Sequence, residues 1–244
     1  MTTPEGGSLG TAETGVWGKH PLGRRLPLAV PANEGTDKTE GTEERCALSI
    51  IGILAIQGDF QAHSQALARL GVPFRFVKKA AELEDLAGLI LPGGESTTFL
   101  KFLQEEGLSE PIREFAEAHP IFGTCAGAIL MADKVENPAQ GSLGLVRMTV
   151  RRNAYGRQLA SSIQAIDSEA ELQVGPEAGT PLEAVLIRAP VILDLGPAVR
   201  VLARLGGRPV LVRQGLSLAG TFHPELTPDT RVHRYFCQMA LGQC

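Results

Sequence analysis

From residue 49 onward, short apolar runs alternate with segments whose apolar residues recur at helical spacing, and no other feature narrows the fold as much. Residues 49–56 form a near-continuous, β-branched apolar run, the pattern of a strand buried on both faces. After Gly58-Asp59, the positions Phe60, His63, Ala66, Leu67 and Leu70 trace one face of a helix that Gly71 stops. Residues 72–77 and 88–91 read as two more strands, and Pro92-Gly93-Gly94-Glu95 as the loop that follows them. Ser96 or Thr97 is the expected cap of a helix reaching Gly107. Another helix follows Ser109, with Pro111 in its first turn, and residues 120–123 make a fourth strand. Strands separated by helices at such short intervals need crossover connections. The expected fold is therefore α/β, an open, mostly parallel sheet with helices on both faces.

Beyond residue 140 the rhythm changes. Residues 145–151, 159–166, 184–187, 199–205, 210–213 and 217–222 read as strands, with Gly206-Gly207 as a hairpin turn, so the C-terminal half is strand-rich. A closing helix is expected, with Thr227 as its cap, Pro228 at its first position and Val232, Tyr235, Phe236 and Met239 as its apolar stripe.

The first 48 residues stand apart. They hold 8 Gly, 4 Pro and 7 Thr but no Ile and no Phe, while all 9 Phe of the chain come later. Such a segment has too little apolar surface to offset its ordering entropy. Residues 1–48 are expected to be a disordered extension, with Trp17 and residues 22–30 as its one candidate docking motif, and residues 49–244 the folded domain. The charge balance is 23 basic against 27 acidic residues. That balance offers no footprint for nucleic acid and no polybasic face for a membrane. The strongest apolar stretch, residues 50–56, is too short to span a bilayer, and the N-terminus lacks a basic, apolar leader, so a cytoplasmic protein is expected. Cys46, Cys125, Cys237 and Cys244 form no C-x-x-C pair, so neither a zinc site nor a disulfide scaffold is expected.

Chemistry-bearing residues fall at three places. In Gly123-Thr124-Cys125-Ala126-Gly127 a strand ends, the chain turns within one residue and a helix begins: a nucleophile elbow with Cys where many hydrolases have Ser. Small flanking residues suit the strained turn, and a helix N-terminus beneath the sulfur favours a thiolate. In Thr221-Phe222-His223-Pro224-Glu225, a histidine ends a strand and a carboxylate follows two residues later, which supplies a base and its orienter. In Pro92-Gly93-Gly94-Glu95-Ser96, two glycines allow backbone N–H groups to face a cavity, as an oxyanion hole requires, with Ala126 N–H as the other donor. Glu95 places a carboxylate where an amino-acid ammonium can dock. All three lie at carboxyl ends of expected strands, the edge where open α/β sheets bind ligands.

Together, Leu91-Pro92-Gly93-Gly94-Glu95-Ser96-Thr97-Thr98, Phe122-Gly123-Thr124-Cys125-Ala126-Gly127 and Phe222-His223-Pro224-Glu225-Leu226 resemble the triad-type, class I glutamine amidotransferases, whose fold is a flavodoxin-like three-layer sandwich. More narrowly, Ala55-Ile56-Gln57-Gly58-Asp59, the stretch from Arg152 to Gln158 and Ile187-Arg188-Ala189-Pro190 look like the glutaminase subunits of pyridoxal 5′-phosphate synthase. The resemblance implies hydrolysis of L-glutamine to glutamate and ammonia. It also implies a partner synthase subunit, in a hetero-oligomeric complex, that uses the ammonia to build pyridoxal phosphate from a pentose phosphate and a triose phosphate. Carried over by position, Cys125 is the nucleophile, His223 the base and Glu225 its orienter, with no cofactor and no metal. Gly94, Glu95, Ser96, Arg152, Ile187 and Arg188 line the glutamine site in the same reading, and Gly94 and Ala126 form the oxyanion hole.

Two departures accompany the resemblance. The extension precedes the point where relatives usually begin, and residues 159–163 lack the Asp and Phe that relatives commonly carry after Gly-Arg-Gln. The rival readings are another Cys-His-Glu hydrolase, acting on γ-glutamyl peptides or as a peptidase, and a non-catalytic binding module. The motifs at Arg152 and Ile187 weigh against the first, and the complete triad weighs against the second. The remaining singled-out groups read as structural: Cys237 and Cys244 as inert, His119 as a helix C-cap, and His63 and His233 as packing or interface groups.

Overall fold

Five parallel strands bring the reactive segments to one edge of a sheet. The computed structural model describes residues 50–152 and 161–242. The expected extension, Cys46, Cys244 and most of the Arg152–Gln158 motif lie outside the described residues.

The N-terminal half runs β1 (Ile50–Leu54), α1 (Phe60–Arg69), β2 (Phe74–Val77), β3 (Leu86–Leu91), α2 (Ser96–Glu105), α3 (Ser109–Ala118), β4 (Ile121–Thr124) and α4 (Ala126–Met131). It continues through β5 (Ala132–Glu136), β6 (Val146–Arg151), β7 (Ser161–Ser168), β8 (Leu182–Ile187), β9 (Val191–Leu195), β10 (Arg200–Leu205), β11 (Arg208–Gln214), β12 (Ser217–Gly220) and α5 (Arg231–Leu241). Nine strands form one sheet in the order β2-β1-β3-β4-β12-β11-β10-β7-β8, and β5-β6-β9 form a second. The pairs from β2 to β12 are parallel, and those from β12 to β8 are antiparallel. The expected α/β architecture is present, and its strand-rich C-terminal half is the antiparallel wing together with the second sheet.

Side-chain alternation along the strands splits the core into two layers. Leu89 and Leu91 of β3 join Phe99 and Leu103 of α2, Ile112 of α3 and Met131 of α4 on one face. Ile90, between them, joins Ile51, Ile53, Leu67, Phe122 and Phe236 on the other, beneath α1 and α5. Each wholly buried side chain of this size contributes about 1.5–3 kcal/mol of transfer free energy.

The termini of the elements differ from expectation in three places. Glu95, rather than Ser96 or Thr97, caps α2: its carboxylate accepts from Thr97 N–H and Thr98 N–H at 3.1 and 2.7 Å. The closing helix begins at Arg231 after Thr230, not after Thr227. Pro224–Leu226 instead makes a short 3-10 turn, in which the Thr227 hydroxyl donates to Pro224 O at 3.2 Å. That turn holds Glu225 beside His223. The strands β5 and β9 carry too few consecutive apolar residues to read as strands in sequence.

Candidate active site

Cys125 is built in by the chain path. β4 pairs with β12 so that Thr124 lies opposite Gly220, and Cys125 N–H donates to Gly220 O at 2.8 Å. The backbone of Cys125 then turns with φ 46° and ψ −100° to start α4. A non-glycine residue held there costs about 1–3 kcal/mol, which the surrounding packing must offset. Gly127 makes the turn feasible, because a Cβ there would lie 2.1 Å from Leu91 O on the neighbouring strand. Cys125 Sγ lies 3.9 Å from Ile187 O.

The adjacency of β4 and β12 also delivers His223, 98 residues further along the chain, since it follows directly after β12. His223 N–H donates to Val185 O at 2.9 Å, which ties it to β8. Its Nδ1 lies 2.8 Å from Glu225 Oε1, leaving Nε2 for Cys125, which lines the same cavity. Burial by itself would lower the pKa of this imidazole. The hydrogen bonds to Cys125 and Glu225 outweigh it and lift the value to about 10. Glu225 is wholly buried, which pushes its pKa up, and the bond from His223 pulls the other way. Asp59 Oδ2 is a second carboxylate, 3.6 Å from His223 Nδ1.

These groups open onto a cavity of about 210 Å³, below the roughly 300 Å³ at which drug-sized pockets begin and in keeping with one amino acid. Gly94, Glu95, Ser96, Arg152, Ile187 and Arg188 line it together with Cys125, His223, Asp59 and Ile129. Every binding residue named from the sequence is thus brought to one place. Glu225 and Ala126 lie just behind, both buried, the one under His223 and the other at the first position of α4.

Arg152 braces the acidic wall of the cavity. Its guanidinium donates to Glu95 Oε1 at 3.1 Å and to Gln140 Oε1 at 2.6 Å. Burial acts to raise the Glu95 pKa, but the bonds from Thr98 and Thr97 hold it down at about 2, so the carboxylate is charged at neutral pH. Gln140 also accepts from Ser96 Oγ at 3.1 Å. Sequence reasoning missed Gln140, because nothing local marks a glutamine whose partners lie 12 and 44 residues away.

The floor of the Gly93-Gly94 loop is packed against the loop before α1. Gly93 O accepts from Asp59 N–H at 3.2 Å, and a Cβ on Gly93 would lie 2.4 Å from the ring of His223. Gln57 Nε2 donates to Glu95 O at 3.1 Å. Among the described residues, Asp59, His223 and Glu225 form the group with metal-ligand geometry, their ligand atoms all within 4.8 Å of one another.

The profile of the SNO glutamine amidotransferase family matches residues 53–241. The chain belongs to that family. A pyridoxal 5′-phosphate synthase subunit PdxT from Koribacter versatilis (strain Ellin345) is 54% identical over 189 residues, which span 78% of this chain and 94% of that protein. A PdxT from Thermus thermophilus is 50% identical over 194 residues, covering 78% and 97%. A solved structure described as a glutamine amidotransferase is 47% identical, with a TM-score of 0.72 over 78% of this chain and 98% of its own. The PurLQS structure from Thermotoga maritima, at 15% identity and a TM-score of 0.57, shares the fold of this SNO-family chain.

Of the groups read as structural in the sequence, His119 does end α3, with Nδ1 3.3 Å from Phe115 O. Burial pushes the Cys237 thiol up to about 12, as expected of an inert cysteine. His63 and His233 are buried within the core, but they touch each other, and His63 lies 3.5 Å from Glu225 Oε1. No helix among the described residues is long and apolar enough to cross a membrane.

Proposed function

We propose that the chain hydrolyses the side-chain amide of L-glutamine to L-glutamate and ammonia, and passes the ammonia to the synthase subunit of a pyridoxal 5′-phosphate synthase. The observation that carries this reading is Cys125 and the His223–Glu225 pair, its members 2.8 Å apart, meeting at a cavity of amino-acid size whose wall pairs Glu95 with Arg152. The two PdxT relatives carry the corresponding name across nearly their full length.

Glutamine enters with its ammonium toward Glu95 and its carboxylate toward Arg152 and Arg188. Two cationic side chains and one anionic one thereby fix both ends of the zwitterion. Cys125 Sγ attacks the side-chain carbonyl carbon once its proton has passed to His223 Nε2, where the raised pKa of the imidazole holds it. The resulting oxyanion is stabilised by Ala126 N–H and Gly94 N–H, each such donor accounting for about 10²–10³ in rate. His223 returns the proton to the leaving nitrogen, ammonia departs and a glutamyl thioester remains. Water, giving a proton to His223, then attacks the thioester and releases glutamate and the thiol. Glu225 holds the imidazole in the tautomer that presents Nε2 to the sulfur.

Glutamate release by the purified chain, with and without a synthase subunit, tests the reading. Cys125→Ala is expected to abolish release while the variant stays folded. Wild-type turnover by Cys125→Ala, or preference for γ-glutamyl peptides over glutamine, would overturn it.

A further inference from the structure

Behind Glu225 lies a buried polar cluster that the steps above do not use. His63 of α1 is wholly buried; its Nε2 is 3.1 Å from Thr124 Oγ1 and 3.5 Å from Glu225 Oε1. Its Nδ1 is 2.9 Å from Nε2 of His233 on α5, and the Thr124 hydroxyl is 3.4 Å from Glu225 Oε1. His233 is wholly buried too, and its Nδ1 has no partner. Phe122 turns its ring edge-on to both imidazoles, at 6.2 and 5.8 Å between centroids, so water is excluded from that side.

Counting protons settles the orientation. Two neutral imidazoles bring one N–H each. With the His63 proton on Nε2, that N–H points at Thr124 and Glu225, Nδ1 accepts from His233 Nε2–H, and only a lone pair on His233 Nδ1 goes unmatched. The opposite tautomers strand a buried N–H at His233 Nδ1 and aim a His63 lone pair at the carboxylate. A stranded donor costs about 1–3 kcal/mol, so the first arrangement prevails. Burial keeps both rings neutral: it holds His63 well below its ordinary value and brings His233 to about 3, with Arg69 acting in the same direction.

We propose that His63, locked in one tautomer by His233, is a positioning residue that keeps Glu225 ionised and aligned with His223. The inference rests on the reading of Cys125, His223 and Glu225 given above. Burial favours a protonated Glu225, and a protonated carboxyl would no longer orient the His223 N–H. Two donors reach the same oxygen, Oε1, His223 Nδ1–H and the Thr124 hydroxyl, and His63 Nε2–H, bonded to that hydroxyl oxygen, stands 3.5 Å from it. The other titratable or charged groups facing this array are Cys125, Asp59 at the loop before α1, and Arg69 and Asp229 around His233. All of them remain in the variants below.

Alkylation of Cys125 by iodoacetamide in the intact chain, followed by peptide mass spectrometry across roughly pH 5 to 11, reads the array without any glutamine turnover. The upper inflection reports loss of the His223 proton. His63→Leu keeps the bulk and removes the donor; it is expected to move that inflection down by about one pH unit. In turnover, it is expected to lower kcat about tenfold with KM unchanged. His63→Gln, whose amide can donate from the position of Nε2, is expected to restore most of the inflection. His233→Leu is expected to move it in the same direction by a smaller amount. A folded His63→Leu with the wild-type inflection overturns the proposal, as does a His63→Gln shifted as far as His63→Leu. If His63→Leu does not fold, an unmoved inflection in His233→Leu overturns it. A chain that alkylates as expected but releases no glutamate would instead sink the glutaminase reading alone.

Discussion

The parallel and antiparallel halves of the nine-stranded sheet carry different parts of the site. In the parallel half every strand ends at the same edge, so four successive strand ends deliver Asp59, the Gly93-Gly94 loop, Cys125 and His223 to one spot. In the antiparallel half, strands end alternately at opposite edges, and one strand end, after β8, reaches the cavity with Ile187 and Arg188. Arg152 arrives separately, after β6 of the second sheet. Under the proposed function, parallel topology concentrates the reacting groups, while the other strands build the walls that would recognise the ends of the substrate.

Substitutions should divide along the same line. Cys125→Ala, at the parallel edge, is expected to lower kcat by about 10⁴ or more, the scale seen when a nucleophile is removed. Cys237→Ala, an equally buried cysteine in α5, should leave kcat within about twofold. Next in size, Arg152→Ala should raise KM for glutamine roughly tenfold to a hundredfold and change kcat far less, because it removes a contact made before and during reaction alike. Steady-state kinetics on the three variants decides: a kcat effect dominating in Arg152→Ala would break the division.

Partner binding should act on the parallel edge. The Gly93–Gly94 peptide has no Cβ on either side, and its carbonyl is held by one bond from Asp59 N–H. Rotating this peptide would move a donor into or out of the oxyanion hole. A partner that docks on the loops of Gln57 and Gly93 can favour the competent rotamer by differential contacts. Saturating synthase subunit is expected to raise kcat/KM for glutamine at least tenfold, below the 10²–10³ ceiling of one donor. Equal kcat/KM with and without the partner would remove the switch and leave the triad assignment standing.

How much of this could be read in the residues follows from the same contrast. The parallel half was legible because four of its five strands, all but β2, are buried on both faces and its motif residues stand in short segments at strand ends. The antiparallel wing was legible as strands, yet β5 and β9 of the second sheet escaped notice: Asp133 and Lys134 break the apolar run of β5, and only two of the five residues of β9 are buried. The cap at Glu95 was missed because Ser96 and Thr97 are the commoner capping types, whereas Glu95 combines capping with an ion pair to Arg152, 57 residues away. His63 read as one more position on an apolar helical face, which it is. Its partners Thr124 and His233 lie 61 and 170 residues further on, and nothing in local periodicity reveals a contact of that range.

The smallest effect expected is on stability, and it too belongs to the parallel half, where His63, His223, Glu225 and His233 are all buried. A histidine whose pKa is depressed on folding stabilises the protein fully above its unfolded value of about 6.5, and that stability is lost as the pH falls through the interval below it. His233, brought to about 3 by burial, should therefore cost about 1 kcal/mol between pH 7 and 5.5, and His63 acts with the same sign. His223, raised to about 10, moves the other way, gaining a comparable but smaller amount over the same interval, so the wild-type curve alone mixes the two. His233→Leu separates them, because it deletes one depressed group and leaves His223 in place. The drop in melting temperature from pH 7 to 5.5 should be about 2–4 °C smaller in His233→Leu than in the wild type, the shift about 1 kcal/mol produces in a domain of this size. Equal drops in the two proteins would mean that His233 already holds a proton in the folded state, and the tautomer order assigned to His63 would fall with it.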